Sequence, residues 1–244
     1  MNILEIKNFS KTYKGGKKAV DDLSLTLEPG DIFAFIGHNG AGKSTTIRST
    51  VGILDFEEGD ILINGMSIKE QPLACKSLIA YIPDNPDLYE HLTGIGYLNF
   101  IADIFDVSSN EREADIKKFG DQFEITLNLG DLISSYSHGM KQKLAVIGAL
   151  IHHPKLMILD EPFVGLDPKA ALSLKDQMRD LCKEGGAVFF STHILDVAEK
   201  LCNKVAMIDH GKLVACGDMD IVRGKESLEE LFMDKINSNE NNGK

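Results

Sequence analysis

No block of clustered Lys and Arg occurs anywhere in the 244 residues, and the balance is acidic. Lys and Arg together number 26 against 37 Asp and Glu, a formal charge of −11 at pH 7. Phosphate backbones are held by clustered cations, so nucleic acid is not an expected partner. Cysteine is scarce: Cys75, Cys182, Cys202 and Cys216 are widely spaced, with no Cys-x-x-Cys. That spacing offers neither a zinc site nor a disulfide framework and reads as buried, reduced thiols of a cytosolic protein. The start, Met1-Asn2-Ile3-Leu4-Glu5-Ile6-Lys7, lacks the charged region and apolar stretch of a signal peptide. No apolar run approaches the ~18 residues of a membrane span, so any membrane association needs a partner. Internal repeats are absent too. With 43% hydrophobic residues, the chain can bury one large core, or one core with a smaller lobe.

What is present is concentrated in Gly37-His38-Asn39-Gly40-Ala41-Gly42-Lys43-Ser44-Thr45. Two glycines four residues apart, followed by Lys and Ser, fit the P-loop pattern. The apolar run Ile32–Ile36 before it suits a buried strand, and residues 43–54 after it can continue as a helix. Strand, glycine loop and helix together make an anion cradle from backbone N–H groups and the helix dipole. A triphosphate is the natural anion. Lys43 supplies a point charge to the outer phosphates, and the Ser44 hydroxyl is placed for Mg²⁺.

Strand signals precede this loop at Ile3–Ile6 and Leu23–Leu27, with Tyr13 between them in a basic, glycine-containing loop over residues 11–16. An aromatic there can stack on a nucleobase or simply pack on the surface. Ile61–Gly65 reads as a strand ending in an Asn-Gly turn, which extends an antiparallel sheet, and Leu78–Ile82 as another strand closed by Pro83. Periodicity then becomes helical from about Leu88 to His153, with Ile95, Tyr97, Leu98, Ile101, Ala102 and Phe105 on one face and Ile116, Phe119 and Phe123 on another. Ser137 is a reasonable N-cap for a helix over residues 141–151, whose polar, glycine-containing start can hold an anion or serve merely as a cap.

Four apolar residues, Leu156-Met157-Ile158-Leu159, end in Asp160 and Glu161. A buried strand of this kind delivers Asp160 to the carboxyl edge of a sheet, where open α/β sheets bind ligands. In a P-loop protein such an Asp organises Mg²⁺, and Glu161, pointing differently, can polarise water as a general base. Asp167 caps a following helix with Pro168 at its first position. The strand Ala187–Ser191 ends at Thr192-His193, so His193 reaches the same edge and can donate a hydrogen bond to a γ-phosphate. Residues 204–208 and 212–215 flank Asp209-His210-Gly211 as a hairpin. Ser227–Ile236 suits a short amphipathic helix, and the polar residues 237–244 suit disorder.

In this order the residues resemble the nucleotide-binding subunit of an ATP-binding cassette (ABC) transporter, over nearly all of residues 1–225. The resemblance implies an α/β P-loop (RecA-like) core with an antiparallel β subdomain and a helical subdomain inserted at about 88–153. Residues 226–244 would be a short helix and a tail. It matches Tyr13 to the adenine-stacking aromatic, Gly37–Thr45 to the phosphate loop, and Ser137-His138-Gly139-Met140-Lys141-Gln142 to the signature, with Ser137 and Gly139 binding nucleotide. Asp160 matches the magnesium-organising Asp, Glu161 the catalytic Glu, Gly165-Leu166-Asp167 the dimer-contact loop, and His193 the switch histidine. Two positions depart: His138 stands where a glycine is common, and Asp84 where Gln is usual, so that this shorter acid would meet Mg²⁺ directly or through water.

By that resemblance the chain hydrolyses Mg·ATP at two shared sites of an ATPase pair, homodimer or paralogue. Hydrolysis would drive a separate membrane permease, at the cytoplasmic face of the cell membrane, with an exporter-like leaning. Soluble superfamily members of the DNA-repair or ribosome-associated type are the alternative class. The former would need a long heptad insertion for which 244 residues leave no room, and the latter two cassettes with basic segments.

Overall fold

The computed structural model describes residues 1–224 and 226–233. Its core is a six-stranded sheet ordered β10-β9-β3-β8-β7-β6. The strands are β3 (Ile32–Ile36), β6 (Ile79–Ile82), β7 (Leu156–Asp160), β8 (Ala187–Thr192), β9 (Lys204–Asp209) and β10 (Lys212–Asp218). All neighbours pair in parallel except β9 with β10. Strands of a parallel sheet are covered on both faces and read as unbroken apolar runs. That accounts for the wholly buried β3, β7 and β8.

The second sheet, ordered β2-β1-β4-β5, is antiparallel: β1 (Leu4–Thr12), β2 (Lys18–Leu27), β4 (Glu58–Ile63) and β5 (Met66–Ser67). Leu23, Leu25 and Leu27 alternate inward along β2. They join Phe33 and Phe35 of the parallel sheet, and Ile47 of α1 (Lys43–Thr50), in one apolar cluster. The opposite face of β3, Ile32, Ala34 and Ile36, belongs to a second cluster with the helices. Between β5 and β6 lies the short α2 (Pro72–Lys76). Between β6 and β7 come α3 (Gly94–Ile104), α4 (Ser109–Gln122) and α5 (His138–Leu150). The last helices are α6 (Pro168–Lys183), α7 (Leu195–Leu201) and α8 (Met219–Arg223).

Register explains the site. Ile36 is paired with Thr192, Asp160 with Ser191, and Ile82 with Leu159, so five parallel strands end together. Gly37, Asp84, Glu161, His193 and His210 all leave the sheet at that edge.

Several local expectations need correction. Helix α1 ends at Thr50, four residues short of the expected limit, because Gly52 turns the chain at φ 67°. Strand β1 continues to Thr12, so Lys11 is buried on a strand with its ammonium 3.3 Å from Glu57 and does not sit in a flexible loop. Helix α5 begins directly after its Ser137 cap, three residues earlier than read from the apolar spacing. Of the cysteines, Cys75 and Cys202 are buried, but Cys182 is half-buried and Cys216 exposed. The Asn64-Gly65 turn joins β4 to β5 with φ of 48° and 80° at its two residues, the left-handed pair of a tight hairpin turn. Of the helix expected at Ser227–Ile236, residues 228–233 are helical; its remainder and residues 237–244 lie outside the described residues. Among the described residues no helix is long and apolar enough to cross a membrane.

Candidate active site at the sheet's carboxyl edge

The phosphate loop leaves β3 through Gly37 and enters α1 through Gly42. A Cβ on Gly37 would stand 2.5 Å from the Ile208 carbonyl, and Gly42 has φ 117° with the Ala19 carbonyl 2.7 Å from its would-be Cβ. Only glycine fits either place. Lys43, 6% exposed, arches back over the loop, its ammonium donating to the Gly37 carbonyl at 2.6 Å. The same nitrogen is 3.7 Å from Glu161 Oε1.

Asp160 ends β7 almost fully buried at 1% exposure. The Ser191 hydroxyl on the neighbouring strand donates to its Oδ1 and also accepts from the Glu161 N–H at 3.0 Å. Asp160 Oδ2 is buried with no hydrogen-bond partner among the described residues. Glu161 then breaks from the strand at φ 50°, a region costly for a residue with a long side chain. That turn aims its carboxylate along the sheet edge. Glu161 Oε2 accepts from His193 twice, from the backbone N–H at 3.3 Å and from Nδ1 at 2.9 Å. With its Nδ1–H committed to Glu161, a neutral His193 presents Nε2 as an acceptor; donation to a phosphate from that atom requires the imidazolium.

Lys43, Asp160 and Glu161 border a cavity of 290 Å³, also lined by Tyr13, His38, Asn39, Gly40, Gly42, Ser44, Thr45 and Asp84; Gly37 and His193 are not among its lining residues, and His193 instead borders a neighbouring pocket with Ile194 and Glu199. Ala41, buried within the loop, supports it from behind and accepts the Gly211 N–H at 2.9 Å. Tyr13 is 42% exposed and its hydroxyl lies 3.2 Å from Thr45 Oγ1. The His38 imidazole turns toward Asp209 and His210.

Ser137 and Gly139 are not among the residues lining that cavity. Ser137 caps α5, accepting the Met140 N–H at 3.3 Å. The helix start packs on the loop before α6: a Cβ on Gly165, at φ 81°, would lie 2.7 Å from His138 Cδ2, and one on Gly139 would lie 3.1 Å from the Gly165 carbonyl. Asp167 caps α6 by accepting the Ala170 N–H at 2.8 Å, and its other oxygen is 2.7 Å from the Lys143 ammonium of α5. Those two donors hold the Asp167 carboxyl below the usual carboxylate range, Lys143 contributing more. Reading the sequence misses Ser191, treated only as a strand residue. Its signal was parallel register, which places the last residues of β8 beside those of β7.

A family model described as ABC transporter matches residues 20–164. The chain belongs to the ABC transporter family. It is an ATP-binding subunit of such a transporter, an ATPase. Among similar proteins is the ABC-type transporter ATP-binding protein EcsA of Bacillus subtilis (strain 168), 35% identical over 236 residues, covering 97% of this chain and 95% of EcsA. The ABC transporter ATP-binding protein YhcH of the same strain, described as uncharacterized, is 38% identical over 213 residues, covering 87% and 68%. A solved structure titled "Structure of ATP binding subunit of ABC transporter" superposes with a TM-score of 0.92 at 34% identity, covering 96% of this chain and 99% of that one.

Proposed function

We propose that this ABC subunit hydrolyses Mg·ATP at sites shared between two ATPase subunits and drives a separate membrane permease from the cytoplasmic face of the membrane. The observation that carries the shared-site reading is the separation of the two anion sites. Lys43 borders the 290 Å³ cavity, whereas the Ser137 helix start sits against Gly165. Ser137 and Gly139 of one subunit would therefore close over the phosphates held by the other. Residues 1–225 form the ATPase unit in this reading, with 88–153 as the inserted helical part.

The residues fit Mg²⁺. Asp160 Oδ2 is a buried carboxylate oxygen without a partner among the described residues, and hard cations take oxygen ligands. Ser44 and Asp160 would hold the ion and Asp84 would assist, directly or through water; when bound, it neutralises phosphate charge. Lys43 binds the outer phosphates, Tyr13 stacks on adenine, Glu161 orients and deprotonates the attacking water, and His193 positions Glu161 while facing the γ-phosphate.

A larger and mostly apolar groove of 370 Å³ runs between the parallel sheet and helices α3 and α5, lined among others by Pro83, Leu88, Tyr97, Phe105 and His152. Pro83 borders this groove while its neighbour Asp84 borders the nucleotide cavity. One loop thus touches both surfaces, which suits the groove to the permease and the loop to coupling. Light scattering tests the shared site. Glu161→Gln, which keeps shape and loses the base, should be a dimer in Mg·ATP and a monomer without it, and Lys43→Ala a monomer in both. A Glu161→Gln variant that holds ATP as a monomer contradicts the proposal.

A further inference from the structure

His38, the second residue of the phosphate loop, meets the β9–β10 turn in an arrangement that the ATPase reading does not use. His38 Nε2 lies 3.0 Å from Asp209 Oδ1 and 3.3 Å from His210 Nδ1, and the latter two atoms are 3.1 Å apart. Two nitrogens and a carboxylate oxygen therefore form a nearly equilateral triangle. The rings meet edge-on at 74°, with centroids 5.1 Å apart, so they do not stack.

With both imidazoles neutral, proton bookkeeping leaves this triangle incomplete. His38 Nδ1 is 2.8 Å from the Asn39 carbonyl, an acceptor only, so the ring donates there and a neutral His38 has a lone pair on Nε2. A proton on His210 Nδ1 can serve the contacts that His210 makes. It cannot serve the 3.0 Å contact between His38 Nε2 and Asp209 Oδ1, where one lone pair faces another. A single cation over the face of the triangle satisfies all three atoms at once.

We propose that His38, Asp209 and His210 form a site for a divalent transition-metal ion of the zinc class. Tetrahedral zinc with bonds of ~2.0–2.1 Å places its ligand atoms ~3.3 Å apart, close to the separations found. Two imidazoles and one carboxylate suit zinc and its neighbours and do not suit Mg²⁺, which prefers oxygen. Zinc-bound histidine commonly donates its other ring N–H to a carbonyl or carboxylate, which is the bond from His38 to Asn39. The scaffold is fixed as well. The Gly211 N–H donates to the Ala41 carbonyl at 2.9 Å, and the Gly211 carbonyl accepts from the Asp21 N–H at 2.8 Å, so the turn is pinned to the phosphate loop. The Asp209 side chain is 9% exposed, while those of His38 and His210 are 38% and 80% exposed. That leaves an entry path and a fourth position for water. Occupied, the site cross-links the phosphate loop to the β9–β10 turn.

The test is calorimetric titration of the tag-free, full-length chain with Zn²⁺ in excess Mg²⁺, with Co²⁺ as a spectroscopic probe. His210→Asn removes a ligand and keeps a residue tolerant of the left-handed backbone there, φ 46°; Asp209→Asn removes the carboxylate. The wild type should bind one Zn²⁺ per chain and give the intense visible bands of tetrahedral Co²⁺. Both variants should weaken zinc at least tenfold and lose the bands. His153→Asn, at a histidine remote from the triangle and paired with Asp115, should bind like the wild type. No zinc binding by the wild type, retention within tenfold in His210→Asn, or loss in His153→Asn would each overturn the assignment.

Discussion

The Ser191 hydroxyl donates to Asp160 Oδ1 across the β7–β8 pair. Asp160 is thereby left with one oxygen held inside the sheet and one buried oxygen free of partners among the described residues. Because the same hydroxyl accepts the Glu161 N–H at 3.0 Å, a single side chain sets both carboxylates. Ser191→Ala leaves the buried Asp160 Oδ1 without its donor, at a cost of about 1–3 kcal/mol for the unsatisfied group, while the Glu161 N–H keeps only its 3.3 Å bond to the Ser191 carbonyl. Denaturant unfolding should show a loss of that order, and ATP turnover should fall about tenfold or more. Wild-type stability and turnover together would contradict the arrangement.

Lys43→Ala should abolish detectable ATPase activity, since the loop's N–H groups cannot replace the ammonium that now bridges the Gly37 carbonyl and Glu161. Glu161→Gln should still bind Mg·ATP but hydrolyse it slower by ~10²-fold or more. Steady-state phosphate release and equilibrium nucleotide binding separate the two. Normal turnover in Glu161→Gln would move the base elsewhere.

Tyr13→Ala should raise the Kd for ATP by roughly 1 kcal/mol if the ring stacks on adenine. Tyr13→Phe loses only the 3.2 Å contact to Thr45 and should stay near wild type. Unchanged affinity in Tyr13→Ala returns the ring to surface packing.

His152 supplies a pH signature. Its ring stacks on Phe105 with centroids 3.8 Å apart, its Nε2–H donates to the Ile79 carbonyl at 3.2 Å, and burial pushes its pKa down to about 4 from 6.5. The unfolded chain therefore binds a proton that the folded chain refuses between these values. The contribution is fully present above pH ~6.5, is lost as pH falls toward 4, and amounts to about 3 kcal/mol at most. His152→Phe keeps a ring against Phe105 and should flatten the slope of unfolding free energy against pH in this window. An equal slope in both proteins would contradict the burial argument.

The strands that carry chemistry were legible because parallel strands covered on both faces leave unbroken apolar runs, and Ile32–Ile36 and Leu156–Leu159 are such runs. The phosphate loop was legible because two of its glycines are sterically compelled. Helix limits were less so: α1 stops at a left-handed Gly52, and α5 starts as soon as Ser137 caps it, before any apolar residue marks the period. Contacts set by register stayed hidden, since nothing local ties Ser191 to Asp160 or His193 to Glu161. The meeting of His38 with His210 is hidden in the same way, because 172 residues separate them.

Mixed dimers test the central claim most directly. One pair carries Lys43→Ala on one subunit and Ser137→Ala on the other; the second pair carries both on one subunit beside a wild-type partner. In shared sites the split pair concentrates both lesions in one site and leaves the other intact, whereas the doubly substituted pair damages each site once. Self-contained sites give the reverse. ATP trapped per purified dimer is the quantity to measure, because it does not require the permease. More trapping in the split pair is the predicted result, and more trapping in the doubly substituted pair would contradict the account.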